Sequence, residues 1–287
     1  MSDGAAPARG SLYIVSTPIG NLGDFSFRAV DTLKSVSLIL AEDTRHTRHL
    51  LDRYEITTPV ASYHEHNEAK STPRLVERLI GGESMALVSD AGTPLLSDPG
   101  STLVGAAIAA GVDVVPVPGA SAMLAALVAS GLDAERFTFF GFLTRSGKRR
   151  RETLDDISQT RHTAILYESP NRLAGTLGEL ERLGNGDRPA VVAREITKHF
   201  EEVRRGTVGE LRAYYEGVPP RGEIVLLLGA LSLAAPSDEQ VEQRVRALRA
   251  GGMSARDTAA TVAAELGISK RVAYRLAQDF GVEEGGG

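Results

Sequence analysis

The stretch Leu87-Val-Ser-Asp-Ala-Gly-Thr-Pro-Leu-Leu-Ser-Asp-Pro-Gly100 joins a short apolar run to a loop rich in glycine, proline and aspartate. Its glycines can adopt positive φ angles or let a ligand approach the backbone, and its prolines stiffen the loop. Asp90 and Asp98 offer acceptors to hydroxyls, amines or cations. Together these features predict a ligand-binding loop after a β-strand, with a plain strand-to-helix turn as the alternative.

Around this loop, apolar strand-like runs alternate with helical patterns, which predicts an α/β fold with a largely parallel sheet. Thr72 and Pro73 predict the start of one helix, as N-cap and first-turn proline, and Gly111 predicts the end of another. The predicted strands are 12–16, 38–41, 85–89 and 112–117, and the predicted helices lie near 26–36, 46–54, 73–81 and 101–110.

The alternation resumes after a helix near 121–130 and a break at Gly131, which predicts a second α/β domain. Its predicted strands are 137–142, 163–167, 190–194 and 223–228. The predicted organisation is a disordered N-terminus at 1–10, α/β domains at 11–131 and 132–230, a linker at 231–238, a helical module at 239–281 and a disordered tail at 282–287.

The composition excludes several kinds of chemistry. The chain of 287 residues is 42% hydrophobic and 24% charged, which is typical of a globular protein. It has no cysteine, so disulfides, thiolate nucleophiles and cysteine-ligated metals are excluded, and we expect a cytoplasmic protein. The most apolar stretch, 103–131, contains Asp113, Pro116 and Pro118, so no membrane span is predicted.

Common nucleotide and metal motifs are incomplete. No G-x-G-x-x-G follows a strand, and the P-loop-like run from Gly141 to Lys148 has five intervening residues with Arg149 where Ser or Thr would bind Mg²⁺. His46 and His49 are spaced i, i+3, and His64 and His66 flank Glu65, but neither set is a complete ligand pattern. We therefore predict no metal site.

A polar cluster, Glu42-Asp-Thr-Arg-His46, follows the second predicted strand. The carboxyl edge of a parallel sheet is where α/β proteins place their ligands, so this cluster is predicted to belong to an active site. The alternative is a helix N-terminus capped by Asp43 or Thr44. The segment 17–24 follows the first strand and is expected to direct backbone N–H groups toward a ligand.

Two features indicate contact with nucleic acid in spite of a net charge of −5. Residues 145–151 carry five positive charges in seven positions, although such a run is also typical of a solvated loop. The pattern of residues 254–276 predicts a helix, a turn at Gly267 and a second helix capped by Ser269, which is the layout of a helix-turn-helix. Residues 237–287 hold 7 basic and 8 acidic residues, which favours packing or RNA orientation over DNA reading.

Several segments closely resemble the small-subunit ribosomal RNA methyltransferases of the tetrapyrrole methylase superfamily. They are Thr17-Pro-Ile-Gly-Asn-Leu, Ala41-Glu-Asp-Thr-Arg-His-Thr, His64-Glu-His-Asn-Glu, Val88-Ser-Asp-Ala-Gly-Thr-Pro, Val117-Pro-Gly-Ala-Ser-Ala, Tyr167-Glu-Ser-Pro-Asn-Arg, Ala193-Arg-Glu-Ile-Thr-Lys and Gly222-Glu-Ile-Val-Leu. The resemblance implies two α/β domains of tetrapyrrole-methylase type with the cofactor cleft between them, plus a small C-terminal helical module. This sequence departs from the family at Ala120, where proline is common, and at Asn171, where histidine is common.

The resemblance also implies the activity and the partners. We expect a homodimer that uses S-adenosylmethionine to 2′-O-methylate a cytidine ribose in the decoding region of 16S ribosomal RNA, within the small ribosomal subunit. A methyltransferase acting on a corrin or porphyrin precursor would share the fold and cofactor but would need no basic run or helical tail. A third hypothesis is a DNA-binding regulator that senses a metabolite, but the charge balance of the tail disfavours it.

Site residues follow from the same resemblance. The cofactor is expected to contact Pro18, Asp90, Gly92, Thr93, Pro94, Ser121, Ala122, Tyr167, Ala193 and Glu223. The expected catalytic group is Asp43, Arg45, His46, His64, His66 and Asn67, with Asp43 the first candidate for a base. The expected RNA contacts are Arg145, Lys148, Arg149, Arg150, Arg151, Lys270 and Arg271.

Overall fold

A computed structural model describes residues 9–231 and 237–279. The chain divides after Ala230 into two compact units. The predicted disordered tail, most of the predicted linker and residues 1–8 of the predicted disordered N-terminus lie outside the described residues. No helix within the described ranges combines the length and the apolar character needed to cross a membrane.

The first sheet of the larger unit is entirely parallel, so the prediction from the alternating pattern is confirmed. Its strand order is β3-β2-β4-β1-β5. The strands are β1 (Ser11–Val15), β2 (Leu38–Ala41), β3 (Val60–Ser62), β4 (Met85–Val88) and β5 (Asp113–Val117), and the helices are α1 (Phe27–Ser35), α2 (Thr44–Arg53), α3 (Glu68–Ile80), α4 (Ser101–Ala109) and α5 (Ala122–Ser130).

The second sheet is mixed, with strand order β6-β7-β10-β8-β9 and only the β6–β7 pair parallel. The sequence pattern did not predict β9, because this edge strand pairs with β8 alone and exposes charged side chains such as Arg205. The elements are β6 (Phe137–Phe142), α6 (Lys148–Gln159), β7 (Thr163–Glu168), α7 (Pro170–Leu180), β8 (Pro189–Arg194), β9 (Glu202–Thr207), α8 (Val208–Gly217) and β10 (Ile224–Leu228).

Both sheets are covered on two faces, which explains their continuous apolar strands. In the first sheet, Leu33 of α1 lies in the core on one face and Leu79 of α3 in the core on the other. Helix α5 precedes the predicted boundary at residue 131, yet its Met123 and Leu127 pack with Val225 of β10 in the second sheet. The helix therefore joins the two halves of this unit.

The predicted start of the third helix at Thr72 is wrong. Helix α3 begins at Glu68, and Pro73 lies inside it. The His64 carbonyl already accepts hydrogen bonds from the Asn67 and Glu68 amides, so the helix begins in that turn. Thr72 does not act as the N-cap, since its buried hydroxyl pairs with the hydroxyl of Tyr63.

The C-terminal unit has three helices within its described residues: α9 (Asp238–Ala250), α10 (Ala255–Leu266) and α11 (Lys270–Asp279). They enclose a small core that includes Val245 and Val262. The predicted turn is confirmed, because Gly267 adopts a φ of 67° after α10 and Ser269 Oγ accepts a hydrogen bond from the Val272 amide.

Candidate active site

A cavity of about 430 Å³ opens between the two sheets of the larger unit. Its volume lies in the range of small-molecule sites. From the first half it is lined by Ile19, Glu42, residues 90–93, residues 96–98, Ser121 and Ala122. From the second half it is lined by Phe142, residues 167–170, Ile196 and residues 222–225.

The loop after β4 forms one wall of this cavity, as its glycines and aspartates predict. Thr17 and Gly92 exchange two backbone hydrogen bonds, of 2.9 and 3.1 Å, which tie this loop to the loop after β1. Gly100 has a φ of 132°, and a Cβ there would lie 2.5 Å from Leu87 Cδ2, so the turn requires glycine. Leu95 and Ser97 also adopt positive φ angles, a strain that concentrates at binding sites.

Five carboxylates line the cavity: Glu42, Asp90 and Asp98 from the first half, and Glu168 and Glu223 from the second. Burial raises the pKa of Asp98 to about 6, and the negative charges of Glu42 and Asp90 contribute to this rise. Burial also raises the pKa of Glu42, with a second contribution from Asp90 and an opposing one from His64. Among the described residues, no group of three or more His, Asp or Glu side chains is placed to hold a metal ion.

Asp43, the predicted base, caps helix α2. Its Oδ1 accepts a hydrogen bond from the Arg45 amide as the N-cap of α2, and both of its oxygens pair with the Arg45 guanidinium. These interactions hold the pKa of Asp43 well below its ordinary value. Asp43 also does not line the cavity, since the neighbouring Glu42 takes that position, so the structure disfavours Asp43 as a base.

The opposite wall is aromatic. The Tyr167 ring contacts those of Phe139 and Phe142, with centroids 4.9 and 5.2 Å apart. The next residue, Glu168, is buried and forms a 2.6 Å ion pair with Arg172. This wall offers a flat apolar surface, held in place by a buried ion pair, to a ring system.

Seven predicted cofactor residues line the cavity: Asp90, Gly92, Thr93, Ser121, Ala122, Tyr167 and Glu223. Three do not. Pro94 is buried within its loop, Ala193 lies in the core of the second sheet, and Pro18 lines a separate, smaller cavity. Of the two departures from the family, Ala120 supplies a carbonyl that accepts a hydrogen bond from the Thr93 hydroxyl, and Asn171 is exposed on α7.

The other predicted catalytic residues are spread over two segments. Arg45 and His46 are exposed on α2, and His46 lines the smaller cavity. His64 and His66 lie before α3 with ring centroids 5.9 Å apart, in a turn rather than an extended strand. Asn67 stabilises that turn, because its Oδ1 accepts from the His64 amide and its Nδ2 donates to the Ser62 carbonyl.

Sequence reasoning misses several residues of this site. Glu42 belongs to the polar cluster after β2, but the pattern favours Asp43 within that cluster. Neighbouring residues of an extended chain face opposite sides. This alternation, continued beyond β2, is the signal that distinguishes Glu42 from Asp43. Phe142 and Ile196 carry no signal, because an apolar side chain in a cavity wall cannot be told from a core residue by pattern.

The basic run begins three residues after the cavity residue Phe142. Arg145, Lys148, Arg149 and Arg151 are exposed, as are Lys270 and Arg271 on α11. Arg150 differs from the expectation of an RNA contact, because it is buried and its guanidinium donates to Glu179, the Thr144 carbonyl and Thr176. This guanidinium is therefore unavailable to a surface phosphate.

Comparison with known proteins agrees with the fold. Residues 11–212 match the family of tetrapyrrole (corrin/porphyrin) methylases. A ribosomal RNA small subunit methyltransferase I from Synechocystis sp. is 45% identical over 94% of this chain and 98% of the relative. The protein of the same name from Mesorhizobium japonicum is 44% identical over 94% of this chain and 92% of the relative.

A solved structure extends the comparison to the fold. The uroporphyrin-III C-methyltransferase from Thermus thermophilus, in complex with S-adenyl homocysteine, matches 77% of this chain and 97% of its own with a TM-score of 0.55. At 20% identity this likeness shows the fold alone. The chain therefore belongs to the tetrapyrrole methylase family and, within it, to the proteins named ribosomal RNA small subunit methyltransferase I.

Proposed function

We propose that this protein uses S-adenosylmethionine to methylate the 2′-hydroxyl of a cytidine in the decoding region of 16S ribosomal RNA, in the cytoplasm. The observation that carries the proposal is the cavity between the two sheets, which is lined by carboxylates from both halves and by aromatic rings from the second. The names of the relatives, ribosomal RNA small subunit methyltransferase I, support an RNA methyltransferase. The choice of nucleotide and atom is our proposal.

The residues of the cavity fit this cofactor. Gly92 borders the cavity with a φ of 87°, and a Cβ there would lie 3.3 Å from Ile19 Cγ2, so a side chain would crowd the wall. Tyr167 offers a ring face to the adenine, and Glu223 offers an acceptor to hydroxyl or amino groups. When bound, S-adenosylmethionine supplies an electrophilic methyl group on a sulfonium sulfur.

The protein contributes positioning and a proton acceptor. The reaction forms a bond between the ribose O2′ and the methyl carbon, breaks the carbon–sulfur bond and releases the hydroxyl proton. We assign that proton to a carboxylate oxygen of Asp98, because this residue lines the cavity and burial brings its pKa closer to the working pH, where a base works best. Holding oxygen, carbon and sulfur in line supplies much of the remaining rate enhancement.

RNA capture is assigned to the exposed members of the basic run. Replacing Arg145 and Arg149 by glutamine is expected to weaken RNA binding and to reduce the slope of log K against log salt by about 1 to 2, because each lost phosphate contact to a single strand contributes about 0.7. Filter binding between low and moderate salt measures this slope. Lys34→Gln, an exposed site on α1, is the control, and an equal effect of both variants would contradict the assignment.

The expected homodimer is supported by α5. All of its residues before Ser130 are apolar, and Leu124 and Val128, four residues apart, are 47% and 80% exposed although other side chains of the helix lie in the core. A helix that is apolar on every face is normally buried, so we propose that this face meets a second copy of the chain.

Val128→Lys is therefore expected to shift the protein from dimer to monomer, because a charge would be desolvated at the interface. Light scattering coupled to gel filtration measures the mass. Ile80→Lys, at an exposed position on α3, is the control that should leave the mass unchanged. A monomeric wild type, or a Val128→Lys dimer, would rule out this face.

The activity itself is tested with methyl-labelled S-adenosylmethionine and small ribosomal subunits from a strain that lacks the modification. Mass spectrometry of RNA fragments is expected to locate the label on one cytidine ribose of the decoding region. Label on a base would overturn the assigned atom. Transfer to a porphyrin precursor, with none to subunits or free RNA, would overturn the RNA substrate.

A further inference from the structure

A second cavity, of about 210 Å³, adjoins the main one. Asp90 lines both cavities. The second cavity has about half the volume of the first and lies below the usual range for a cofactor-sized ligand, so it suits a fragment such as one nucleobase.

The polar groups of this cavity are incompletely paired. Thr47, on α2, is 3% exposed, and its Oγ1 has no hydrogen-bond partner among the described residues. Buried hydroxyls almost always find a partner, so this hydroxyl is available to a ligand in the cavity that Thr47 lines. Asp90 Oδ1 accepts a hydrogen bond of 3.1 Å from the Asp43 amide, and its Oδ2 makes no hydrogen bond to another described residue.

The remaining walls suit a flat ring. His46 and His49 lie three residues apart on α2, so their imidazoles share one side of the helix. Pro18 and Leu22 supply an aliphatic surface. Proteins that recognise unpaired RNA bases place them against histidine, aromatic and apolar side chains in this manner.

We infer that the second cavity seats one pyrimidine base flipped out of the RNA stack, with Thr47 and Asp90 as its hydrogen-bond partners. The inference rests on the proposed function and adds the recognition site for the base. Asp90 Oδ2 is an acceptor that matches the N4 amino group of cytosine and not the O4 of uracil, so it selects cytosine. Arg48 is exposed on the same helix as Thr47, where it can meet the backbone phosphates.

The first test uses the imidazole NMR signals of the six histidines. With S-adenosylhomocysteine present, cytidine 5′-monophosphate at millimolar concentration is expected to shift the signals of His46 and His49. His162, which pairs with Thr138 beside the second sheet, and His199 should not move. Uridine 5′-monophosphate should bind more weakly, and ribose 5-phosphate should cause no shift.

The second test uses variants of the cavity. Thr47→Val is expected to lower kcat/KM for ribosomal subunits about threefold to tenfold, the value of one hydrogen bond, with cofactor affinity unchanged. Thr258→Val removes a buried hydroxyl that also lacks a partner among the described residues, but in the C-terminal unit, and should leave kcat/KM unchanged. Leu22→Trp, at a 44% exposed position, should abolish the nucleotide-induced shifts by filling the cavity.

The outcomes separate this inference from the proposed function. Methylation of RNA by the wild type, with no His46 or His49 shift and full activity of both cavity variants, overturns the base site and leaves the function intact. Shifts of His46 and His49 on addition of S-adenosylhomocysteine alone, with none from cytidine 5′-monophosphate, also overturn it. Pyrimidine-specific shifts without methylation of any RNA would retain the cavity as a base site and overturn the function.

Discussion

Replacing Asp98 by asparagine is expected to lower methyl transfer to RNA about 10² to 10⁴-fold at pH 7.5, the usual contribution of a general base. Asparagine has the same shape but cannot accept the hydroxyl proton. Single-turnover kinetics with labelled S-adenosylmethionine measure the effect, and equilibrium binding should show the cofactor retained. Asp43→Asn is the matched control, because Asp43 already pairs with Arg45 and asparagine still caps a helix.

The reverse result would change the assignment of the base. A large loss of turnover in Asp43→Asn, with little loss in Asp98→Asn, would restore Asp43 as the proton acceptor. Equal small losses in both would indicate that positioning alone drives the reaction.

The pH dependence follows from the raised pKa of Asp98, about 6 compared with an ordinary 3.8. Wild-type turnover should decline as the pH falls through about 6, because the carboxylate becomes protonated, whereas the residual rate of Asp98→Asn should stay flat there. The folded state holds this proton more tightly than the unfolded state, so ionisation of Asp98 opposes folding above pH 6. Asp98→Asn should therefore melt at a higher temperature than wild type at pH 8, and this advantage should shrink between pH 6 and pH 4.

Replacing Arg150 by methionine is expected to reduce the free energy of unfolding by about 3 kcal/mol, since it breaks a largely buried ion pair. The guanidinium lies 2.5 Å from Glu179 and also bonds the Thr144 carbonyl and the Thr176 hydroxyl. Removing it leaves these acceptors without their donor beneath the basic run. Urea denaturation of the purified variant measures the change.

Arg149→Met is the control from the adjacent position. Arg149 is exposed, so its replacement should change the free energy of unfolding by no more than about 0.5 kcal/mol while weakening RNA binding. If Arg150→Met were as stable as wild type and instead lost RNA affinity, the structural role of Arg150 would be wrong.

Much of the site can be predicted from local patterns in the sequence. Parallel strands carry their ligand loops at the same edge of a sheet, so position and composition alone assign the loop with Asp90, Gly92 and Thr93 to a cavity. The same reasoning identifies the cluster after β2. Strand pairing in the second sheet is harder to predict from the sequence, because β9 is a polar edge strand. Its free side faces solvent, so its residues do not show the apolar pattern of a buried strand.

The amino-acid sequence by itself determined the alternating fold, the parallel first sheet, the loop that lines the cavity and the family, because these depend on periodicity, turn chemistry and motif. The tertiary structure decided which of two adjacent acids faces the cavity, which of three adjacent arginines is buried, and that α5 packs on the second sheet. It also brought Glu42, Asp90 and Asp98 to one cavity and raised the pKa of Asp98. Burial and the proximity of distant charges arise only when separate segments pack together, and no local pattern contains them.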